Sequence, residues 1–225
     1  MTTGSDRQVV VDSLGVGIAT GVYGVSFGAI ATASGLDVWQ ACALSLLVFT
    51  GASQFAFVGV VAAGGSALTG ALTATLLGSR NTFYGLSIAQ RLDVRGVRRA
   101  AAAHLVIDES TAMSVTRDTP HQARLGFYWT GASVFVLWNA MTLVGALAGE
   151  AIGDPRAYGL DAAVAAAFVG LLWPRLTSTT TRLVAATGAL AATALVPLTP
   201  SGVPIVLGGA VAVAMGLALP ARAAS

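Results

Sequence analysis

The sequence predicts an all-α membrane protein, a polytopic helix bundle of about seven transmembrane helices with one re-entrant or partly buried helix beside them. Three observations carry this. Hydrophobic residues fill 55% of the 225 positions and charged residues only 10%, against roughly 25% charged in a soluble domain. The mean hydropathy is +0.77, and the apolar residues fall into blocks near the ~20 residues that cross a bilayer as a helix. The 12 basic residues gather at the edges of those blocks. Too little polar surface exists to coat a globule, so lipid is the expected solvent for a single integral membrane domain, 1–225.

A tail, 1–12, precedes the first span, 14–35. That span is too long for a secretory signal and has neither a basic leader nor a small-x-small cleavage site, so a retained helix is expected. Within it Gly17, Gly21, Gly24 and Gly28 follow each other at helical spacing and share one face, where small residues let two helix backbones approach. Gly145, Gly149 and Gly153 repeat the pattern. The remaining spans are read as 38–63, 67–90, 125–149, 158–174, 183–198 and 203–219. The last three are near the lower limit of length, and Pro197, Pro200 and Pro204 mark a tight hairpin between the final two. Short spans point to broken helices or local thinning of the bilayer, both common in transporters. No internal repeat aligns between the two halves.

Basic loops stay cytoplasmic. Arg91, Arg95, Arg98 and Arg99 therefore lie inside, with Arg117, Arg124, Arg175, Arg182 and Arg222. Glu150, Asp154 and Asp161 outnumber Arg156 and place 150–161 outside. With 91–99 and 117–124 both inside, 100–116 does not cross. Its His104, Asp108 and Glu109 suit a re-entrant or interfacial helix better than a lipid-facing one. Seven crossings then put the N-terminus outside; a crossing by 100–116 makes eight and inverts half the topology.

Composition also excludes functions. Every basic residue is Arg, so no Walker, Schiff-base or kinase lysine is available. A net charge of +2 is too small to argue for nucleic acid. Cys42 stands alone, and His104 and His121 are far apart, so neither an intrachain disulfide nor a metal cluster is expected. No cofactor and no enzymatic activity are expected.

Three polar constellations interrupt the apolar blocks. Thr50-Gly51-Ala52-Ser53-Gln54 lies near the middle of 38–63, where polar groups need partners. Gly51 lets the helix unwind and frees backbone groups for a ligand; alternatively Thr50 and Ser53 bond back to their own helix and Gln54 joins two helices. Arg80 lies about 22 Å along the axis from Gly65 and about 16 Å from Arg91 if 67–90 is one helix. An arginine that deep needs a pair or water, and Tyr84 shares its face. The alternative is snorkelling from a helix that ends early at Gly78. Asp108-Glu109 follows apolar Leu105-Val106-Ile107. On one helix Asp108 shares a face with His104. A carboxylate there is a proton carrier, a partner for Arg80, or an ordinary acid on a solvated interfacial helix.

In this order the residues resemble the AzlC (azaleucine-resistance) family, the large subunit of branched-chain amino acid exporters. The matching stretches are Gly51-Ala52-Ser53-Gln54-Phe55, Arg80 with Tyr84-Gly85-Leu86-Ser87, and His104-Leu105-Val106-Ile107-Asp108-Glu109-Ser110, with Gly159-Leu160-Asp161 later; together they cover roughly 14–219. Asn81 stands where the family usually has His, and Ser26-Phe27-Gly28 where it often has Pro-Phe-Gly. The resemblance implies a multi-pass secondary exporter of branched-chain or similar amino acids in the inner (cytoplasmic) membrane. It implies a small AzlD-type membrane subunit as partner; self-association into a homo-oligomer is compatible with it. Gly51, Ser53, Gln54, Arg80 and Tyr84 are the expected substrate contacts. Arg80 and the amides around Gly51 take the carboxylate, and Gln54, freed carbonyls and Asp108 or Glu109 take the ammonium. Asp108 or Glu109 is the expected proton carrier, Asp108 first. The alternatives are a permease subunit served by a separate ATPase, and an intramembrane serine protease using Ser53 and His104. Against the protease stands Gln54 in the last place of Gly-x-Ser-Gly.

Overall fold

The computed structural model describes residues 5–152, 169, 170, 172, 173, 176–200 and 202–219. The expected span 158–174 lies almost wholly outside the described residues, as do Gly153, the Gly159-Leu160-Asp161 stretch and Arg222. Every regular element among the described residues is a helix.

α1 (Asp6–Val22) and α2 (Gly24–Ala33) form one 28-residue apolar rod, Asp6–Ala33, jointed at Tyr23. The hydroxyl of Ser5 caps it by accepting the Gln8 N–H, so positions 6–12 belong to the helix and not to a tail. A second rod of 33 residues, α9 (Pro120–Ile152), is likewise long and apolar enough to cross a membrane. The two run parallel. Gly17 faces Ser133, Gly21 faces Leu137, Gly24 the Trp138 carbonyl, Gly28 the Thr142 carbonyl, and Gly149 faces Thr32. A methyl group at any of these glycines would land on the opposite helix, which is the close approach that small residues permit.

Parallel packing brings the start of α1 to the start of α9. Asp12 accepts from Arg117 at 3.0 Å and Asp6 pairs with His121 at 3.0 Å. The N-terminus therefore shares an end with the arginine loops, here called the basic end. This corrects the expectation, drawn from counting seven crossings, that it lies opposite them: the direction of α1 is set by its packed seam with α9, more than twenty residues long.

α3 (Val38–Leu47) starts at the opposite end, capped by Asp37, and runs back along α9. Ser45 Oγ bonds Thr142 Oγ1 at 3.3 Å, and Phe49 meets Phe135 edge-on at 5.1 Å. The chain leaves helical geometry over 48–51, with Gly51 at φ +60°, a region glycine enters without steric cost. α4 (Ala52–Ala62) then turns back. Gln54 Nε2 donates to the Leu44 carbonyl at 3.3 Å, and Phe55 packs on Phe27. The expected span 38–63 is thus a hairpin of two half-helices, 10 and 11 residues long, each about 15 Å and half a bilayer deep.

α5 (Ala67–Gly78) runs antiparallel to α4, with Gly70 under Phe57 and Gly78 against Ser53. Ser79 stays near-helical at φ −57°, ψ −26°. α6 (Arg80–Leu92) carries the line on to the basic end, where Arg91 Nη1 donates to the Arg117 carbonyl at 2.9 Å and Arg124 Nε to the Arg91 carbonyl at 3.0 Å. α7 (Val97–His104) leaves that end and α8 (Asp108–Val115) returns to it, antiparallel to α9: Leu105 lies on Gly131 and Met113 on Gly126. Non-helical 105–107 lies between His104 and Asp108, so the two do not share a helix face as their spacing suggested. α10 (Thr179–Leu195) and α11 (Val203–Ala218) form a hairpin in which Gly188 and Gly208 face each other. Gly202 at its turn meets Thr69 and Val60.

An inverted repeat emerges from this path. The half-helix beginning at Gly24 is followed by a hairpin whose return arm begins at Ala52; the one beginning at Arg80 is followed by a hairpin whose return arm begins at Asp108. Both spacings are 28 residues. The turn between has Leu36-Asp37-Val38 in one unit and Leu92-Asp93-Val94 in the other. Both return arms are braced alike: the Gly51 N–H donates to Gln54 Oε1 at 3.1 Å, and the Ile107 N–H to Ser110 Oγ at 3.1 Å. Each bracing side chain also donates back across the break, Gln54 to Leu44 and Ser110 to Leu105. One hairpin dips from the basic end and the other from the opposite end.

Candidate functional site

The two hairpin tips meet. Where they do, a cavity of about 430 Å³ opens, lined by Thr50, Gly51 and Ala52 from one tip and Ile107, Asp108 and Glu109 from the other. The joints of both broken spans reach it through Tyr23 and Arg80, and α9 supplies Val134 and Trp138.

Arg80 organises the polar side. It grips Asp108 with two bonds, Nε to Oδ1 at 3.3 Å and Nη2 to Oδ2 at 3.1 Å. Its remaining reach goes to carbonyls released by the helix breaks: Nη1 to Leu77 at 3.2 Å and Nη2 to Thr50 at 3.5 Å. A planar guanidinium suits this, because its fork matches a carboxylate while spare N–H groups point sideways. The pair is mostly buried, its side chains 22% and 28% exposed.

Two helix N-termini also converge. The first N–H groups of a helix lack intrahelical partners and carry the positive end of its dipole. At α8 that end is answered by its own Asp108 and Glu109, whereas the first turn of α4 holds no acid. The α4 terminus is the more receptive to an anion. The opposite wall is apolar. Phe55 lies edge-on to Phe27 at 5.4 Å and to Trp138 at 6.4 Å, with Tyr23 5.9 Å away. Thr50 Oγ1 and Trp138 Nε1, both buried, have no hydrogen-bond partner among the described residues.

Of the residues singled out from sequence, the fold brings Gly51, Arg80, Asp108 and Glu109 to the cavity. Ser53 and Gln54 lie behind it, 1% and 0% exposed, and the Gln54 amide is spent on bracing the break. Tyr84 packs beside Ile88, Leu92 and Phe127 in a separate cluster. Ser53 Oγ has no hydrogen-bond partner among the described residues, while His104 lies against Phe49 and Phe135. A Ser53–His104 dyad is therefore absent, and the protease alternative loses its chemistry. Sequence reasoning missed Thr20, Tyr23, Phe49 and Trp138, all on the cavity wall. Apolar residues in apolar spans carry no signal of which cavity they face.

Comparison with known proteins agrees with this architecture. The AzlC family, described as AzlC protein, matches residues 15–152, which run from within α1 to the end of α9. An uncharacterized membrane protein of Archaeoglobus fulgidus is 32% identical over 187 residues, 82% of each chain. Inner membrane protein YgaZ of Escherichia coli is 28% identical over 146 residues, 63% of this chain and 60% of that protein. A Helicobacter pylori membrane protein is 25% identical over 163 residues, 71% of this chain and 70% of its own. The match thus spans three-fifths of the E. coli protein's length and about four-fifths of the archaeal one's. No solved structure matches. With more than half of its residues in the family match and membrane proteins as its relatives, this chain belongs to the AzlC family of membrane proteins.

Proposed function

We propose that the protein is a secondary transporter that exports branched-chain or similar amino acids across the inner membrane, working with a small AzlD-type membrane subunit. The observation that carries this is the central cavity, where an arginine–carboxylate pair and an acid-free helix N-terminus face an aromatic and aliphatic wall. A zwitterion with an apolar side chain needs those three surfaces. Its carboxylate competes with Asp108 for Arg80 and is drawn to the α4 terminus. Its ammonium goes to the carboxylates and to the Thr50 carbonyl. Its side chain lies against Phe55, Val134 and Trp138. The volume is within the range of small-molecule sites, about 300–1,000 Å³.

Gly51, Arg80, Asp108 and Glu109 are the contacts in this reading; Ser53, Gln54 and Tyr84 hold the elements that present them. When the substrate takes Arg80, Asp108 is released from the pair; Asp108, before Glu109, is the carrier of the proton that drives export in this reading. The basic end faces the cytoplasm, so the α7–α8 hairpin dips from inside and the α3–α4 hairpin from outside. The test is efflux from cells loaded with a leucine-containing dipeptide, with and without this protein and a neighbouring small membrane protein. Faster leucine release that collapses with a protonophore is expected. Release that tracks ATP and ignores the protonophore would favour an ATPase-served permease, and release no faster than in cells lacking the protein would overturn the export reading.

A further inference from the structure

We propose that a second cavity, between α6 and α7, is the path by which the substrate reaches the centre from the basic end, and that the Arg80–Asp108 pair is the door between the two. This rests on the transport reading above. The cavity measures about 540 Å³ and is bordered by Asn81, Gly85 and Ala89 on α6 and by Ala102, Ala103 and Val106 on or next to α7, with Arg95 and Arg99 at its mouth.

The two cavities are lined by residues adjacent in sequence. Arg80 lines the central cavity and Asn81 the second; Ile107 lines the central cavity and Val106 the second. Arg80 and Asp108, paired at 3.1 Å, border the central cavity next to these residues. Gly85 and Ala89 on one side and Ala102 and Ala103 on the other are small, among larger Leu86, Ile88 and Leu92, and Asn81 Oδ1 is buried without a hydrogen-bond partner among the described residues. Arg95 and Arg99 outnumber Asp93 among the charged residues of its lining, a balance that favours carboxylates there.

The inverted repeat supplies an independent argument. In the first unit the positions equivalent to Asn81, Gly85 and Ile88 are Val25, Ala29 and Thr32. There the space is filled: Gly145 presses on Val25, and Gly149 on Ala29 and Thr32, with no room for a methyl group. Among the described residues the approach from the opposite end is covered by α9, whereas no helix presses in this way on the approach from the basic end. Two inverted units, one closed and one open, are what alternating access about a central site requires.

Water access can be read without knowing the substrate. In a Cys42→Ala background, single cysteines are placed by Gly85→Cys, where a Cβ meets nothing within 4 Å, and by Thr50→Cys in the central cavity. An impermeant methanethiosulfonate is applied to inside-out and right-side-out vesicles. The cysteine at 85 is expected to react from the cytoplasmic face only, and that at 50 about tenfold more slowly. Adding Asp108→Asn should raise the rate at 50 several-fold from that face and leave 85 unchanged. Gly85→Trp, a plug in open space, should instead abolish reaction at 50 and stop efflux. A cysteine at 85 that is inert from both faces, as in a lipid-filled groove, overturns the path; so does a rate at 50 that neither Asp108→Asn nor Gly85→Trp moves. If the labelling pattern holds while leucine efflux is absent, the path stands and the substrate assignment falls.

Discussion

The two hairpins share a backbone and differ in chemistry. In both, a side chain three residues into the return arm binds the N–H at the break and reaches back to a carbonyl of the descending arm. The α3–α4 arm then begins Ala52-Ser53 and its unit begins with Gly24; the α7–α8 arm begins Asp108-Glu109 and its unit with Arg80. One unit spends its key positions on close helix packing against α9, and the other spends the same positions on charge. The difference teaches that a duplicated scaffold can put close packing at a position in one copy and charge at the same position in the other: Gly24 packs on Trp138, and Arg80 pairs with Asp108.

The comparison breaks most completely at Arg80. Arg80→Ala leaves Asp108 facing the cavity without its two bonds, and removing one partner of a buried pair costs about 3–5 kcal/mol. Efflux is expected to vanish and the melting temperature in detergent to fall; Asp108→Asn, whose amide oxygen still accepts one bond but leaves the Arg80 charge unanswered, should fall in the same direction by less. Equal melting of Arg80→Ala and the parent would show the pair to be unimportant for folding.

Next in size is the glycine seam. Gly28→Ala pushes a methyl into the Thr142 carbonyl and the Ala146 nitrogen, an overpacking of about 1–3 kcal/mol. Gly85→Ala meets open space and should cost nothing measurable. A thermal-shift assay in which both variants fall together would undo the assignment of packing to one unit and access to the other.

The braces come third. Gln54→Ala and Ser110→Ala each remove a bond to the N-cap, worth about 1 kcal/mol. Gln54→Ala should be the worse, since it also leaves a larger void in a fully buried position. Its efflux should fall through destabilisation, and a chemical chaperone or lower growth temperature should restore part of it. A stable Gln54→Ala protein with no efflux would return Gln54 to direct substrate contact. The smallest effect is expected for His104→Phe, whose ring already packs between Phe49 and Phe135; efflux should stay within about twofold.

Sequence alone determined that the chain is helical and belongs in lipid, because hydrophobic length and the scarcity of charge leave no other solvent. It marked where polar groups interrupt the apolar blocks and which glycine face packs closely, and it offered a break at Gly51 and an Arg80–Asp108 pair each as one reading among others. Only the tertiary structure decided direction. The apolar block 38–63 has the length of a span whether it crosses or doubles back, and hydropathy counts residues without sensing the turn that Gln54 and Leu44 close. The parallel course of α1 and α9 follows from glycines that meet across more than a hundred residues of chain, which no local pattern encodes. The inverted repeat escaped notice for the same reason: its units preserve backbone spacing and a capping bond, while Gln54 and Ser110, or Gly24 and Arg80, have nothing in common as side chains. Which apolar residues face the cavity was likewise set by packing, since Trp138 and Phe55 read as ordinary span residues until α2, α4 and α9 bring them to one wall.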